Sequence, residues 1–301
     1  MINTIENLKA VMAIENIKQN EPMKNHTSFK VGGPADLFLM PQSQDELQKV
    51  LAICKKSQKN LYIMGNGSNL IVRDGGYSGI IINTKALSQV KTDGETLIAE
   101  PGISLKDLAN IALEEKLTGL EFASGIPGSL GGAVTMNAGA YDGEMKGVIK
   151  SIQIITEDGC LKTIPQSECA FGYRSSILQQ HNWVLVSVEL QLKQGDYQAI
   201  NEKMLDLNTQ RKTKQPLEYP SAGSTFRRPE GYYAGKLVQD AGFKGYALGG
   251  AQVSEKHSGF VINKGGATAA DILNLIGAIQ AGVKEKFNVD LKTEVIVIGN
   301  D

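Results

Sequence analysis

One stretch limits what this chain can become: Gly125-Ile-Pro-Gly-Ser-Leu-Gly-Gly-Ala-Val-Thr-Met-Asn-Ala-Gly-Ala-Tyr-Asp-Gly-Glu144. Its twenty residues hold six glycines and neither lysine nor arginine. Glycine admits positive φ and lets main-chain N–H groups approach a neighbour with no Cβ in the way. Successive N–H groups in such turns form concave anion-binding nests. A phosphate-bearing ligand is therefore the expected guest, the alternative being a set of tight turns. A second stretch, Gly65-Asn-Gly-Ser-Asn69, offers the same chemistry. It is not a dinucleotide fingerprint of the Rossmann kind, which needs a third glycine and a helix next. Here the third position is Leu70, and Leu70 to Arg73 and Gly79 to Asn83 read as strands.

The rest of the chain supplies a frame for these turns. Residues 4–20 predict a short helix from Ile5, Leu8, Val11 and Met12. Ser43-Gln-Asp-Glu46 reads as a capping box opening a helix with Leu47, Val50, Leu51 and Cys54 inward. Leu61 to Met64 reads as a buried strand, and Ser104 caps a helix to about residue 116 with Leu105, Leu108, Ile111 and Ala112 inward. Ile152 to Thr156 and Leu161 to Ile164 predict a hairpin about Asp158-Gly159. From Trp183 to Leu192, alternation puts Val184, Val186, Val188, Leu190 and Leu192 on one strand face. Asp196 to Lys214 predicts a polar helix, after which prolines and glycines become frequent up to residue 265. Thr268, with Asp271 three residues on, caps a last helix bearing Ile272, Leu275, Ile276 and Ile279. Leu291 to Ile298 reads as a closing strand. The fold class is α+β.

Composition excludes several roles. At 301 residues the chain is long enough for two domains. A net charge of −1 gives no global field to recruit nucleic acid or an anionic membrane. No apolar run approaches the roughly 20 residues that span a bilayer, and the opening residues lack a basic-then-apolar signal pattern. The cysteines, Cys54, Cys160 and Cys169, and the histidines, His26, His181 and His257, are scattered. No metal site is expected, and a reducing cytoplasm is.

Three residues stand out as candidates for chemistry. Arg174 lies in Phe171-Gly-Tyr-Arg-Ser-Ser176, among apolar and small residues. Ser224 lies in Ser221-Ala-Gly-Ser-Thr-Phe226, where small neighbours expose its hydroxyl. Glu294 shares a strand face with Ile296 and Ile298, opposite Thr293, Val295 and Val297. Partial desolvation there raises a carboxyl pKa and favours the protonated form. A salt-bridge arginine, a turn serine and an edge-strand glutamate are the structural alternatives.

Taken together, His26-Thr-Ser-Phe-Lys-Val-Gly-Gly33, Gly65 to Asn69, Gly125 to Gly132, Asn137-Ala-Gly139, Tyr173-Arg174, Ala222-Gly-Ser224 and Glu294-Val295 run in one order over nearly the whole chain. In that order they resemble the UDP-N-acetylenolpyruvoylglucosamine reductases (UDP-N-acetylmuramate dehydrogenases) of bacterial peptidoglycan synthesis. The spacing between Trp183 and Lys214 matches the shorter class, which lacks a tyrosine-bearing insertion. Many relatives carry a basic residue where this chain has Ile296.

The resemblance implies an FAD-binding fold of the vanillyl-alcohol oxidase (PCMH) type over residues 1–194, in subdomains of about 1–85 and 86–194, and a substrate-binding domain over 195–301. It implies non-covalent FAD, since neither glycine stretch holds the histidine that usually anchors a covalent flavin. Cofactor contacts are expected at Gly65, Asn66, Gly67, Ser68, Asn69, Gly125, Ile126, Pro127, Gly128, Gly131, Gly132, Ala133, Asn137 and Gly139. NADPH is the implied co-substrate and UDP-N-acetylglucosamine enolpyruvate the implied substrate. The resemblance further implies that hydride passes from flavin N5 to the vinyl carbon, that a proton comes from Ser224, and that Arg174 and Glu294 stabilise the enolate. Lys214 aligns with a substrate lysine of the family; Tyr173, Arg227, Lys236 and Gln252 are further substrate candidates. No protein partner, nucleic acid or membrane is implied. A sugar or alcohol oxidase of the same fold, or a flavin or nucleotide-sugar sensor without activity, would keep the glycine turns but would not need the Arg174, Ser224 and Glu294 set.

Overall fold

The computed structural model describes residues 2–301, which form two compact units interleaved along the chain. One comprises the residues up to Lys18, Leu37–Asn66 and Gly79–Arg211; the other comprises Gln19–Asp36, Gly67–Ser78 and Lys212–Asp301. A shift in composition marks a position along a chain, whereas these units follow contacts. Residues 19–36 and 67–78 accordingly pack with the C-terminal segment.

The first unit is built on two sheets. One is its share of a sheet in which the strands Ile17–Pro22, Pro34–Leu39, Tyr77–Asn83 and Leu61–Met64 follow in that order, the first unit holding residues 17–18, 37–39, 79–83 and Leu61–Met64 of it. Its last two strands are parallel, with Leu61 opposite Ile80 and Met64 opposite Asn83. Helices α1 (Ile2–Lys9) and α2 (Gln44–Lys56) cover it, burying Leu8, Leu47, Val50 and Cys54. Helix α1 is shorter than the apolar spacing predicts. After Lys9 the chain turns, with Val11 N and Met12 N both donating to Leu8 O at 3.0 Å, and the strand follows from Ile17. Met12 reaches the same core from the turn, so the periodicity is met without a helix. At α2 the capping box is shifted. Ser43 Oγ accepts from Glu46 N at 3.2 Å, but the Glu46 carboxylate accepts from Gln42 N, one residue upstream of the cap.

The second sheet is antiparallel and five-stranded, in the order Leu161–Pro165, Ile149–Ile155, Val184–Gln191, Thr96–Ala99, Val90–Asp93. The predicted hairpin forms, with Ile155 opposite Leu161. The predicted single apolar face of Val184–Gln191 does not. Gln153 pairs with Ser187 and Ile154 with Leu185, leaving Val186 as the extra residue of a bulge. A one-residue insertion reverses side-chain parity beyond it. Val184 and Val186 accordingly join the core under α2, while Leu185, Val188, Leu190 and Leu192 join the core of α3 (Leu105–Glu114). Helix α3 starts as expected, Ser104 Oγ accepting from Asp107 N at 3.0 Å.

The second unit packs two further helices, α6 (Ala234–Asp240) and α7 (Ala269–Phe287), on a three-stranded sheet of Ala247–Leu248, Ala251–Val253 and Val261–Asn263. Helix α7 begins with a complete capping box, Asp271 N donating to Thr268 Oγ1 and Thr268 N to the Asp271 carboxylate, each at 3.0 Å. Asp74 accepts from the next two free amides, Ala269 N at 2.9 Å and Ala270 N at 2.8 Å. Ile272, Leu275, Ile276 and Ile279 are buried, each worth roughly 1.5–3 kcal/mol of hydrophobic transfer.

The closing strand is shorter than predicted. Only Ile296–Ile298 forms a ladder, parallel to Leu70–Val72. Residues 292–294 instead bond a loop, Arg227 N donating to Lys292 O and Glu294 N to Thr225 O, both at 2.9 Å. One extended segment thus serves two partners in succession. Among the described residues no helix is long and apolar enough to cross a membrane.

Candidate active site

The glycine turns of the first unit meet at Gly65 and Ser129. Gly65 ends the Leu61–Met64 strand, and Asn83 Nδ2 donates to its carbonyl at 2.9 Å. A Cβ at Gly65 would overlap Ser129 Oγ and lie 2.9 Å from Ser129 Cβ. Ser129 precedes helix α4 (Leu130–Thr135) but does not cap it. Its hydroxyl is buried and bonds no protein atom; nor does the buried Asn66 Oδ1. The amides of Asn66, Gly125, Gly128 and Gly132 donate to no main-chain carbonyl. Buried polar groups are almost always paired, so this cluster has the form of a cradle for a polar ligand. A phosphate-bearing cofactor fits it: an unbonded hydroxyl and main-chain amides without carbonyl partners lie on glycine-rich turns.

Other glycine-stretch residues have structural reasons to be there. Gly131 packs beneath Pro101 and donates to its carbonyl at 2.7 Å; Ala133 is buried. Gly139 pairs with Glu144 in a short hairpin, where its Cβ would sit 2.7 Å from Gly143 O. Ile126 packs on the core, its amide donating to Ala123 O at 3.0 Å, and Pro127 links it to Gly128. Asn137 is 1% exposed with its side chain bonded inside the unit.

Sequence reasoning missed two contributors. Ser129 was hidden among the glycines. The other is the inner face of helix α5 (Tyr197–Lys214), whose stripe runs Ile200, Met204, Asn208, Arg211 and turns polar where it meets Gly125. A Cβ on Gly125 would lie 2.5 Å from Asn208 Oδ1 and 3.2 Å from Arg211 Cδ. Asn208 Nδ2 donates to Ser124 Oγ at 3.1 Å. Burial pushes the Arg211 guanidinium pKa down, and the nearby Tyr141 phenol opposes this. The i, i+4, i+8, i+11 spacing was the available signal.

Arg174 also lies in the first unit, at the tip of a tight turn. Gly172 and Ser175 bond each other across it, at 3.1 and 3.3 Å, and Arg174 takes φ +52°. Its guanidinium stands 5.1 Å from the centre of the exposed Tyr173 ring.

In the second unit the chain brings Ser224 and Glu294 onto adjoining segments. Ser224 is exposed and follows Gly223, at φ +74°. The next residue, Thr225, is buried and fixed on three sides: its N donates to Gly259 O, its O accepts from Glu294 N, and its Oγ1 accepts from Val261 N. Glu294 is half-buried. Asn69 grips both sides of it, donating from Nδ2 to Glu294 O at 3.1 Å and accepting from Ile296 N at 3.0 Å. Gly67, at φ +61°, shapes the turn leading to Ser68 and Asn69, its carbonyl accepting from Ser28 N at 3.1 Å. Of the remaining substrate candidates, Lys214 and Arg227 are exposed; Lys236 is paired with Asp240 at 2.8 Å, and Gln252 Nε2 donates to Gly245 O at 3.0 Å.

Comparison with known proteins decides the family. Residues 35–164 match a family described as "FAD binding domain", and residues 215–298 match "UDP-N-acetylenolpyruvoylglucosamine reductase, C-terminal domain". The UDP-N-acetylenolpyruvoylglucosamine reductase of Clostridium perfringens (strain SM101) is 52% identical over 287 residues, 95% of this chain and 94% of that relative. This chain belongs to the UDP-N-acetylenolpyruvoylglucosamine reductase family. The Caldanaerobacter subterraneus subsp. tengcongensis reductase is 50% identical over 295 residues, 98% of each chain. The crystal structure of the Thermus caldophilus reductase superposes with a TM-score of 0.80 at 32% identity, covering 93% of this chain and 98% of that one. A glucose dehydrogenase, Phl p 4.0202, shares only the fold, with a TM-score of 0.52 at 11% identity over 65% of this chain and 44% of its own. The reductase fold is thus α+β, and about two thirds of it recurs outside the family.

Proposed function

We propose that this chain reduces UDP-N-acetylglucosamine enolpyruvate to UDP-N-acetylmuramate with NADPH, for peptidoglycan synthesis in the cytoplasm. The observation that carries the reading is 50–52% identity to reductases of that name over 95–98% of the chain. The cradle at Gly65 and Ser129 supports FAD as the resident group. Residues 1–194, backed at Gly125 by Asn208 and Arg211 of helix α5, carry the flavin, and residues 195–301 otherwise carry the nucleotide sugar. No histidine lies in either glycine stretch, so the flavin is held without a covalent bond.

FAD, when bound, would supply hydride transfer between NADPH and the terminal vinyl carbon of the substrate. The chain's own residues then have to manage charge. Electron density moves onto the adjacent carbon and into the substrate carboxylate. Arg174 meets that carboxylate with planar donors that stay charged. Glu294, on the segment adjoining Ser224, assists in stabilising the enolate. One preorganised donor such as the Arg174 guanidinium is worth about 3–4 kcal/mol of barrier. Ser224 Oγ delivers the proton to the carbon that bears the carboxylate. Its exposure leaves the hydroxyl open to a substrate, and the three bonds of Thr225 fix the chain on its C-terminal side. Lys214, Arg227 and Tyr173 meet the diphosphate and uridine. Lys236 and Gln252 join them by exchanging their bonds to Asp240 and Gly245.

The test is anaerobic. NADPH should bleach the yellow protein, and the enolpyruvyl nucleotide sugar should restore its colour. Recovery only on admitting air would assign an oxidase instead. A protein that takes up no FAD would overturn the reading entirely.

A further inference from the structure

We infer that Asn137 is a positioning residue for Arg174: its buried amide ties the arginine's turn to the glycine-rich helix. The inference rests on the role of Arg174 proposed above. Asn137 is 1% exposed. Its Nδ2 donates to the Glu144 carboxylate at 2.8 Å and to Gly172 O at 3.1 Å, and its Oδ1 accepts from Lys146 N at 2.9 Å. Both donors of the amide are therefore engaged inside the protein, which leaves the side chain no donor for a flavin. Its own N donates to Val134 O at 3.1 Å, closing helix α4.

Gly172 is the base of the turn that carries Arg174. Its carbonyl also accepts from Ser175 N, so this one oxygen holds both the closure of the turn and its attachment to Asn137. Further bonds hold the far side: Ser176 Oγ donates to Thr135 O at 2.9 Å, and Gln179 Nε2 donates to Arg174 O at 3.2 Å. Thr135 is the last residue of helix α4, and Asn137 lies two residues beyond it in the glycine stretch. The arginine root is thereby referenced to the segment that cradles the cofactor.

The residue type follows from the geometry. Asn137 takes φ +40°, where side chains other than asparagine and aspartate are strained. Glycine would accept the backbone but has no amide. Aspartate would tolerate it but present a carboxylate to Glu144 and to a carbonyl. Asparagine alone meets the conformation, the two acceptors and the donor.

Asn137→Gly removes the amide and keeps the backbone. Its FAD content and thermal midpoint report on folding, and the two half-reactions are timed separately. We expect retained flavin, NADPH reduction within about twofold of the parent, and reoxidation by the enolpyruvyl substrate slowed about 10–100-fold, the cost of a small misplacement. In an Arg174→Ala background the substitution should cause no further slowing, because residues acting as one unit are not additive. Equal slowing on both backgrounds, or loss of FAD with both half-reactions slowed, would make Asn137 merely structural and overturn the inference. If Arg174→Ala alone reoxidises at the parent rate, the arginine's role fails first. Should Asn137→Gly not fold, Gln179→Ala removes an exposed second anchor. It should slow reoxidation in the same direction only when Arg174 is present, and an unchanged rate would refute the anchoring.

Discussion

Gly65→Ala gives the sharpest test of the cradle. A Cβ there would overlap Ser129 Oγ. Rotating the hydroxyl away breaks no hydrogen bond within the protein, because Ser129 Oγ makes none. It does not relieve the clash, because Ser129 Cβ would still lie 2.9 Å away. Closer than about 3 Å, the backbone of residue 65 or 129 must move. Ser129 is held by its neighbours, Leu130 N donating to Ile103 O at 2.8 Å and Leu105 N to Gly128 O at 3.0 Å. An overpacked position of this kind costs about 1–3 kcal/mol. At roughly 2–4 °C per kcal/mol for a chain of this order of size, the thermal midpoint should fall by several degrees. The measurement is made on flavin-free protein, so that lost binding does not mimic lost stability. FAD affinity, titrated separately, should also weaken. Adding Ser129→Gly removes both clashing atoms and should restore most of the midpoint. A Gly65→Ala protein with the parent's midpoint and FAD affinity would refute the close approach, as would a double variant no more stable than the single one.

Ser224→Ala should keep FAD and be reduced by NADPH at the parent rate, yet lose about 10²–10⁴-fold in reoxidation by the enolpyruvyl substrate; full turnover would remove Ser224 as proton donor. Thr268→Ala breaks the reciprocal cap of α7 and should cost about 1 kcal/mol, read as the denaturant midpoint at unchanged slope. Burial pushes the Cys54 thiol pKa up to about 12, and burial with Glu168 nearby raises Cys169 to about 11. Both thiols are neutral in the folded and unfolded protein below pH about 9, so the effect on stability begins there. Above it the unfolded chain ionises while the folded one holds its protons, and stability falls as pH rises toward about 12. Cys54→Ala should flatten that alkaline limb, and a limb unchanged in slope would contradict the assignment. A thiol reagent at neutral pH should label the exposed Cys160 at once and the other two only on unfolding; three fast thiols would contradict their burial.

Much of the site was legible because it consists of local sequence devices. Glycines at close approaches, serine and threonine caps, and a turn serine beside glycine all act within a few residues. Ser104 and Thr268 cap the helices they were expected to cap. The ordered landmarks from His26 to Val295 point to the family from the sequence alone. What failed to show was non-local. The bulge at Val186 reverses a strand face because of what lies opposite, at Gln153 and Ile154. The last strand divides between a loop and the Leu70–Val72 strand because two partners meet it in turn.

The sequence by itself determined which turns could press backbone against a ligand, where most helices begin, and which reductase family the chain joins. Those follow from backbone conformational freedom, from caps, and from motifs read in order. The tertiary structure alone decided that Ser129 faces Gly65, that Asn208 and Arg211 back Gly125, and that Asn137 grips the arginine turn. Each pairing joins residues far apart in the chain. Helix and strand periodicity states that a residue faces inward; only packing states what it faces.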